Sequence, residues 1–138
     1  MQYPELMDGL CKLPYDIEAT ELRIAELRKT IKDYKAQLET RQTAIALSRE
    51  AKAWGSNEEE RKLNKSQAFA TDAECIRHTK NITMMENDAN AEDISLTRDK
   101  NLFYAFRSMA ELHAAYLLSG RSVAANGNGN AIADEMGL

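Results

Sequence analysis

Proline and glycine are scarce, and the places where they are missing carry most of the information. The two prolines, Pro4 and Pro14, both lie near the N-terminus. From Tyr15 to Ser119 there is no proline and a single glycine, Gly55. Helix interiors exclude proline strongly and glycine mildly, so this long stretch reads as helix. Pro14 then marks a start, Gly55 a break and Gly120 an end. Aromatic residues are only 7% of the chain, a composition that suits long helices better than a compact β-rich fold. The two cysteines, Cys11 and Cys75, match no metal or redox spacing and read as free thiols of a reducing cytoplasm. Neither histidine, His78 or His113, has a ligand partner at i+4, which argues against a metal site. There is no Gly-rich phosphate loop, no nucleophile motif and no pair of acids in a catalytic context, so the chain reads as a non-enzyme without a cofactor. A surplus of basic residues is also absent: the net charge is −4, which disfavours long nucleic acid and anionic membrane. No apolar run is long enough to span a bilayer. The opening "MQYPELMDGLCKLP" lacks the basic start and apolar core of a signal peptide, and the expected location is the cytoplasm.

What is present is a helical period. Ile17, Ile24, Ile31, Leu38 and Ile45 recur every seven residues, beside a weaker column of Thr20, Leu27, Tyr34, Arg41 and Ser48. This is a coiled-coil stripe, and it predicts a first arm from about Asp16 to Trp54. A helix of that length is not held by its own propensity and must pack on a partner. The second arm, from about Asp72 to Leu118, supplies one. Ile82, Met85, Ala89, Leu96, Phe103 and Phe106 follow three- and four-residue steps, with Glu92 and Asp99 filling two of them. The middle, "ENDANAEDISLTRDKN", is thin in apolar bulk and predicts helix with looser packing or a local interruption. Between the arms, Ser56 with Glu59 and Thr71 with Glu74 have the spacing of capping boxes, which predicts a short corner helix over about 57–70. Three glutamates in its first turn would repel an anion from the helix N-terminus.

The fold expected is therefore all-α: a long antiparallel helical hairpin with a short corner helix, assembled into an oligomeric coiled coil or helix bundle. It divides into an N-terminal segment (1–14), a hairpin domain (15–119) and a disordered Gly/Asn-rich tail (120–138). The first arm carries a slight positive balance and the second is acidic, as arms that pair in register require. A register centred on the corner places Arg41 level with Glu86 and Tyr34 level with Asp93. A two-helix hairpin buries one face of each helix and is marginal alone. The surplus apolar groups Leu22, Leu47, Tyr104, Leu112 and Leu117 predict a second face, and with it a dimer or tetramer.

The corner segment "GSNEEERKLNKSQAFATDAE" resembles that of small phage-encoded helical proteins with a G-x-N-x-x-E-R-K segment between two long helices and a variable polar tail. The matching positions are Gly55, Asn57, Glu60, Arg61 and Lys62. The resemblance implies one of two roles. Some such proteins are oligomeric sponges that sequester nucleotide immune signals of the bacterial host; others accompany phage recombination genes. The first role needs pockets between protomers for a small anionic nucleotide, with arginine for phosphate and an aromatic ring for the base. The residues expected to supply them are Arg41, Trp54, Arg61, Lys65, Tyr104 and Arg107. The second role is a coiled-coil scaffold or accessory protein for recombination or replication, with no small ligand.

Overall fold

The computed structural model describes residues 2–124. Four helices follow one another: α1 (Tyr3–Leu47), α2 (Ala51–Trp54), α3 (Glu58–Thr71) and α4 (Ala73–Ala124). Among the described residues there is no strand, and the two long helices pack against each other. No helix among them is long and apolar enough to cross a membrane.

The chain divides into two compact units. One is Met1–Leu22 with Asp93–Leu138, and the other is Arg23–Glu92. In the second unit, Ile31, Ile82 and Ala89 are buried together, with Leu27, Tyr34, Leu38 and Met85 packed around them. The two heptad columns of α1 thus meet the stripe of α4. That stripe also extends back to Cys75 and His78, both buried, on the same three- and four-residue steps. Ion pairs flank this core: Arg23 with Glu92 at 3.3 Å and Lys35 with Glu86 at 3.0 Å. In the first unit Leu6, Leu13 and Thr20 are buried at heptad spacing. Thr20 donates its hydroxyl to the Asp16 carbonyl at 2.9 Å, so its polar group costs little in an apolar seam. Gly9 lies against the Phe106 ring so closely that a Cβ there would overlap it. Tyr3 stacks on His113 with ring centroids 4.9 Å apart, so His113 belongs to the packing.

Several boundaries differ from those the sequence suggests. α1 begins at Tyr3 and runs through Pro14, which forgoes one backbone bond and crowds the carbonyl four residues back. The buried Leu6 and Leu13 continue the Thr20 column by two further heptads and hold these early turns in place. α1 ends at Leu47 instead of running to Trp54. Ser48 closes the last turn, its amide and its hydroxyl both donating to the Ile45 carbonyl at 3.1 and 2.6 Å. With α1 ending sooner, Arg41 and Tyr34 meet an earlier part of α4 than expected. Arg41 pairs with Asp72 and Glu74 rather than standing level with Glu86, and the Tyr34 ring lies 5.9 Å from His78, not beside Asp93. The thin middle of α4 is helical without interruption. α4 also passes through Gly120 to Ala124; the rest of the Gly/Asn-rich tail lies outside the described residues.

Candidate functional site

The corner is built by the residues of the G-x-N-x-x-E-R-K segment itself. Gly55 has φ 149° and ψ 169°, an extended backbone with positive φ that a side chain resists. It is not the left-handed helix-ending conformation expected there. A Cβ on Gly55 would also stand 2.8 Å from Glu60 Cγ and 3.1 Å from the Arg61 backbone nitrogen. Asn57 caps α3, its Oδ1 accepting from the Glu60 amide at 2.8 Å. Glu60 reaches back and accepts from the Ser56 hydroxyl at 2.7 Å and the Ser56 amide at 3.3 Å. The cap is therefore Asn57 with Glu60, one residue beyond the expected Ser56 with Glu59. These bonds, the hydroxyl's first, hold the Glu60 carboxyl below its ordinary range. Arg61 donates from Nε to the Gly55 carbonyl at 3.0 Å. Lys62 remains on the surface, 3.7 Å from Glu58.

Trp54 is buried at this corner, with 3% of its surface exposed. Its indole Nε1 donates to the Ala46 carbonyl at 3.1 Å, satisfying one of the acceptors that the end of α1 leaves open. The Arg49 guanidinium covers the ring at 5.0 Å, and Asn64 donates to the Trp54 carbonyl at 2.6 Å. Trp54 thus plugs the corner, and its ring presents little face to a base.

Arg41 sits where α3 hands over to α4. Its Nε and Nη2 donate to the two carboxylate oxygens of Asp72 at 3.0 and 2.7 Å, a bidentate pair, and Glu74 lies 3.4 Å away. Asp72 does three jobs. Its amide donates to the Ala68 carbonyl, completing α3, and its carbonyl accepts from the Ile76 amide, starting α4. Its Oδ2 accepts from the Cys75 amide at 3.0 Å, which makes it the α4 cap in place of the expected Thr71 box. Thr71 instead turns its hydroxyl back to the Gln67 carbonyl. The Arg41 guanidinium, and after it the Cys75 amide, hold the Asp72 carboxyl well below the usual carboxylate range, and Arg41 is raised in return. Burial, and then Asp72, pushes the Cys75 thiol up.

The remaining expected ligand residues are dispersed. Lys65 is half-buried on α3. Tyr104 is exposed on α4 in the other unit, its ring beside Phe103. Arg107 pairs with Glu111 one turn on at 3.3 Å. Arg41, Trp54 and Arg61 share the Arg23–Glu92 unit but are each engaged within the chain.

That unit also holds a groove that no sequence motif marks. A groove of about 440 Å³ is lined by Ala36, Gln37, Thr40, Arg41 and Ala44 of α1 and by Glu74, Arg77 and His78 of α4. His78 is only 7% exposed, and its Nδ1 is buried with no hydrogen-bond partner among the described residues. The one available signal was position: His78 stands four residues before Ile82 on the buried stripe. Among the described residues no cluster of His, Cys, Asp or Glu could hold a metal ion. No family model, curated protein or solved structure matches the chain.

Proposed function

We propose that the chain is a non-enzymatic, antiparallel helical hairpin whose function is to assemble, two copies pairing through α4 to form a scaffold for partner proteins. The observation that carries this reading is an exposed seam on α4 in the unit containing Asp93–Leu138. Leu102, Ala105, Met109 and Leu112 follow steps of three, four and three, the spacing of a coiled-coil seam, and all four are exposed. They stand beside, not on, the stripe of Phe103, Phe106 and His113 that α4 turns inward. The seam is self-complementary. With two copies of α4 antiparallel, Leu102 meets Leu112 of the second copy and Ala105 meets Met109, large against large and small against long. A two-fold axis repeats both contacts, giving four layers. The flanking Asn101, Ser108 and Ala115 carry no charge, so nothing along the edge repels a second copy. Contiguous apolar surface of this kind marks an interaction site on a water-exposed helix. Leu112→Lys should give a monomer with unchanged helix content. Leu63→Lys, at a position 59% exposed on α3, should not change the assembly. If both variants assemble alike, the seam is not the interface.

Sequestration of a small anionic nucleotide is the second reading. It is supported by the groove beside Arg41, one of the six expected ligand residues. The other five do not gather around that groove, and the guanidinium of Arg41 is already shared by two carboxylates. A melting-temperature screen with cyclic dinucleotides and ADP-ribose derivatives tests it: a ligand at a hundredfold its Kd stabilises by about 2.7 kcal/mol. If no nucleotide shifts the transition, this reading is discarded.

A further inference from the structure

We propose that Asp72 is a two-state joint: Arg41 latches it in the bent form, and on release α3 and α4 run on as one helix. Asp72 alone separates them, since α3 ends at Thr71 and α4 begins at Ala73. Its φ of −73° is already helical, whereas its ψ of 126° is extended. Rotation about that one bond joins the two helices. The backbone bonds on either side already have helical spacing, the Asp72 amide donating to the Ala68 carbonyl and the Ile76 amide to the Asp72 carbonyl. The turn between them is interrupted: the Cys75 amide donates to Asp72 Oδ2 at 3.0 Å, where a continuous helix would give it the Thr71 carbonyl.

The sequence suits the joined form. From Ser56 to Ser119 there is neither proline nor glycine, so the capping preference of Asp72 is the local signal that stops the helix. The seven-residue register runs straight through the break. Arg61, Ala68, Cys75, Ile82 and Ala89 are all buried or half-buried, and so are Asn64, His78, Met85 and Glu92 of the companion column. Thr71 is the member out of place: it is exposed, and its neighbour Asp72 is turned inward instead. Successive residues of a continuous helix stand about 100° apart, so Thr71 then enters the seam and Asp72 leaves it. Thr71 can do so cheaply. Its hydroxyl already donates to the Gln67 carbonyl at 3.0 Å, the same bond by which Thr20 is buried in the seam of α1.

Charge selects the bent form. It gains the bidentate Arg41 pair, at 3.0 and 2.7 Å, and the cap on Cys75, and it gives up backbone bonds across one turn. Turning Asp72 off the seam breaks the pair with Arg41, so latch and bend are lost together. The corner feels the change. α3 carries Arg61 and Asn64, which donate to the Gly55 and Trp54 carbonyls. Bringing α3 into line with α4 draws both away and uncovers Trp54. A side chain of α1 thereby governs whether the corner is closed. The latch lies within the Arg23–Glu92 unit, so the proposal does not depend on assembly through the α4 seam.

The test is the Cα chemical shift at position 72, relative to its random-coil value, measured by NMR on the full chain. The native chain should give an extended value and a strong contact between the Asp72 Hα and the Ala73 amide proton. Asp72→Ala removes latch and cap together. It should move the carbon downfield into the helical range, bring the amide protons of positions 72 and 73 into contact, and leave helix content undiminished by circular dichroism. Arg41→Gln removes the latch and keeps the cap. It should move the position-72 carbon part of the way, as the two forms share the population. Acrylamide should quench the fluorescence of Trp54, the single tryptophan, more readily in both variants than in the native chain. The proposal is overturned if position 72 keeps its extended value in either folded variant. It is also overturned if Trp54 becomes exposed while helix content falls, which is fraying of the corner and not a joining of helices. Should Asp72→Ala fail to fold, Arg41→Gln decides alone.

Discussion

Ile31→Ala probes the core of the Arg23–Glu92 unit. Ile31 is 8% exposed and packs with Ile82 and Ala89. The substitution removes three carbons, worth roughly 2.4 kcal/mol at about 0.8 kcal/mol per buried methylene. Unrelaxed cavity adds to this, and measured Ile→Ala costs run from about 2 to 5 kcal/mol. Two helices close one on another more easily than a many-sided core, so about 2.5–3.5 kcal/mol is expected, the lower part of that range. At roughly 3 °C per kcal/mol for a chain of this size, the transition falls by about 8–10 °C. Ile94→Ala removes the same atoms where the side chain is 73% exposed. It should change stability by less than about 0.5 kcal/mol. Urea denaturation followed by far-ultraviolet circular dichroism measures both. Protein concentration must be fixed, because the stability of an assembling protein depends on it. If Ile31→Ala and Ile94→Ala agree within about 0.5 kcal/mol, the assignment of the core is refuted.

Other outcomes follow from the corner and the helix ends. Gly55→Ala places a Cβ against Arg61 backbone at a positive φ and should cost about 1–3 kcal/mol. Gly120→Ala, where a Cβ meets nothing within 4 Å in the interior of α4, should be neutral or stabilise by up to about 1 kcal/mol; thermal melts of the two variants should move in different directions or by clearly different amounts. Asp72 has a depressed carboxyl in the folded chain, so its contribution is fully present above the unfolded value and is lost as pH falls through the folded one. Native stability should therefore fall more steeply on acidification below about pH 4 than that of Asp72→Asn, and the two curves should converge; parallel curves would remove Arg41 and Asp72 from the account. Cys11 is exposed, whereas Cys75 is buried with a raised thiol, so iodoacetamide should label Cys11 first by mass spectrometry. Equal rates would mean that α4 opens readily near its start.

Much of the fold was legible because it depends on local rules. The heptads from Ile17 to Ile45 and the three- and four-residue steps from Ile82 to Phe106 identify two helices that pack. Gly55 and the short-range polar residues identify a corner. The errors arose where a tertiary contact outweighs a local signal. Pro14 reads as a helix start, but Leu6 and Leu13 are buried and keep the helix going across it. Trp54 reads as the last residue of the first arm, but its indole serves the Ala46 carbonyl, which requires α1 to have ended already. That difference in length carries Arg41 from Glu86 to Asp72. The site was less legible. Arg41 stands out as a charge in an apolar column, Trp54 as the single tryptophan and Arg61 as part of a basic run, yet sequence alone does not show that Asp72, Ala46 and Gly55 already engage them. His78 looked unremarkable because an orphaned ring nitrogen is a property of its surroundings. The groove around it is made by two sets of residues thirty or more positions apart.

The assembly reading is tested most directly by sedimentation equilibrium of the native chain at micromolar to tens-of-micromolar concentration, alongside Leu112→Lys. The account predicts a native species of twice the 15.5 kDa chain mass and a single-chain mass for the variant. A native protein that sediments at 15.5 kDa throughout that range would contradict it.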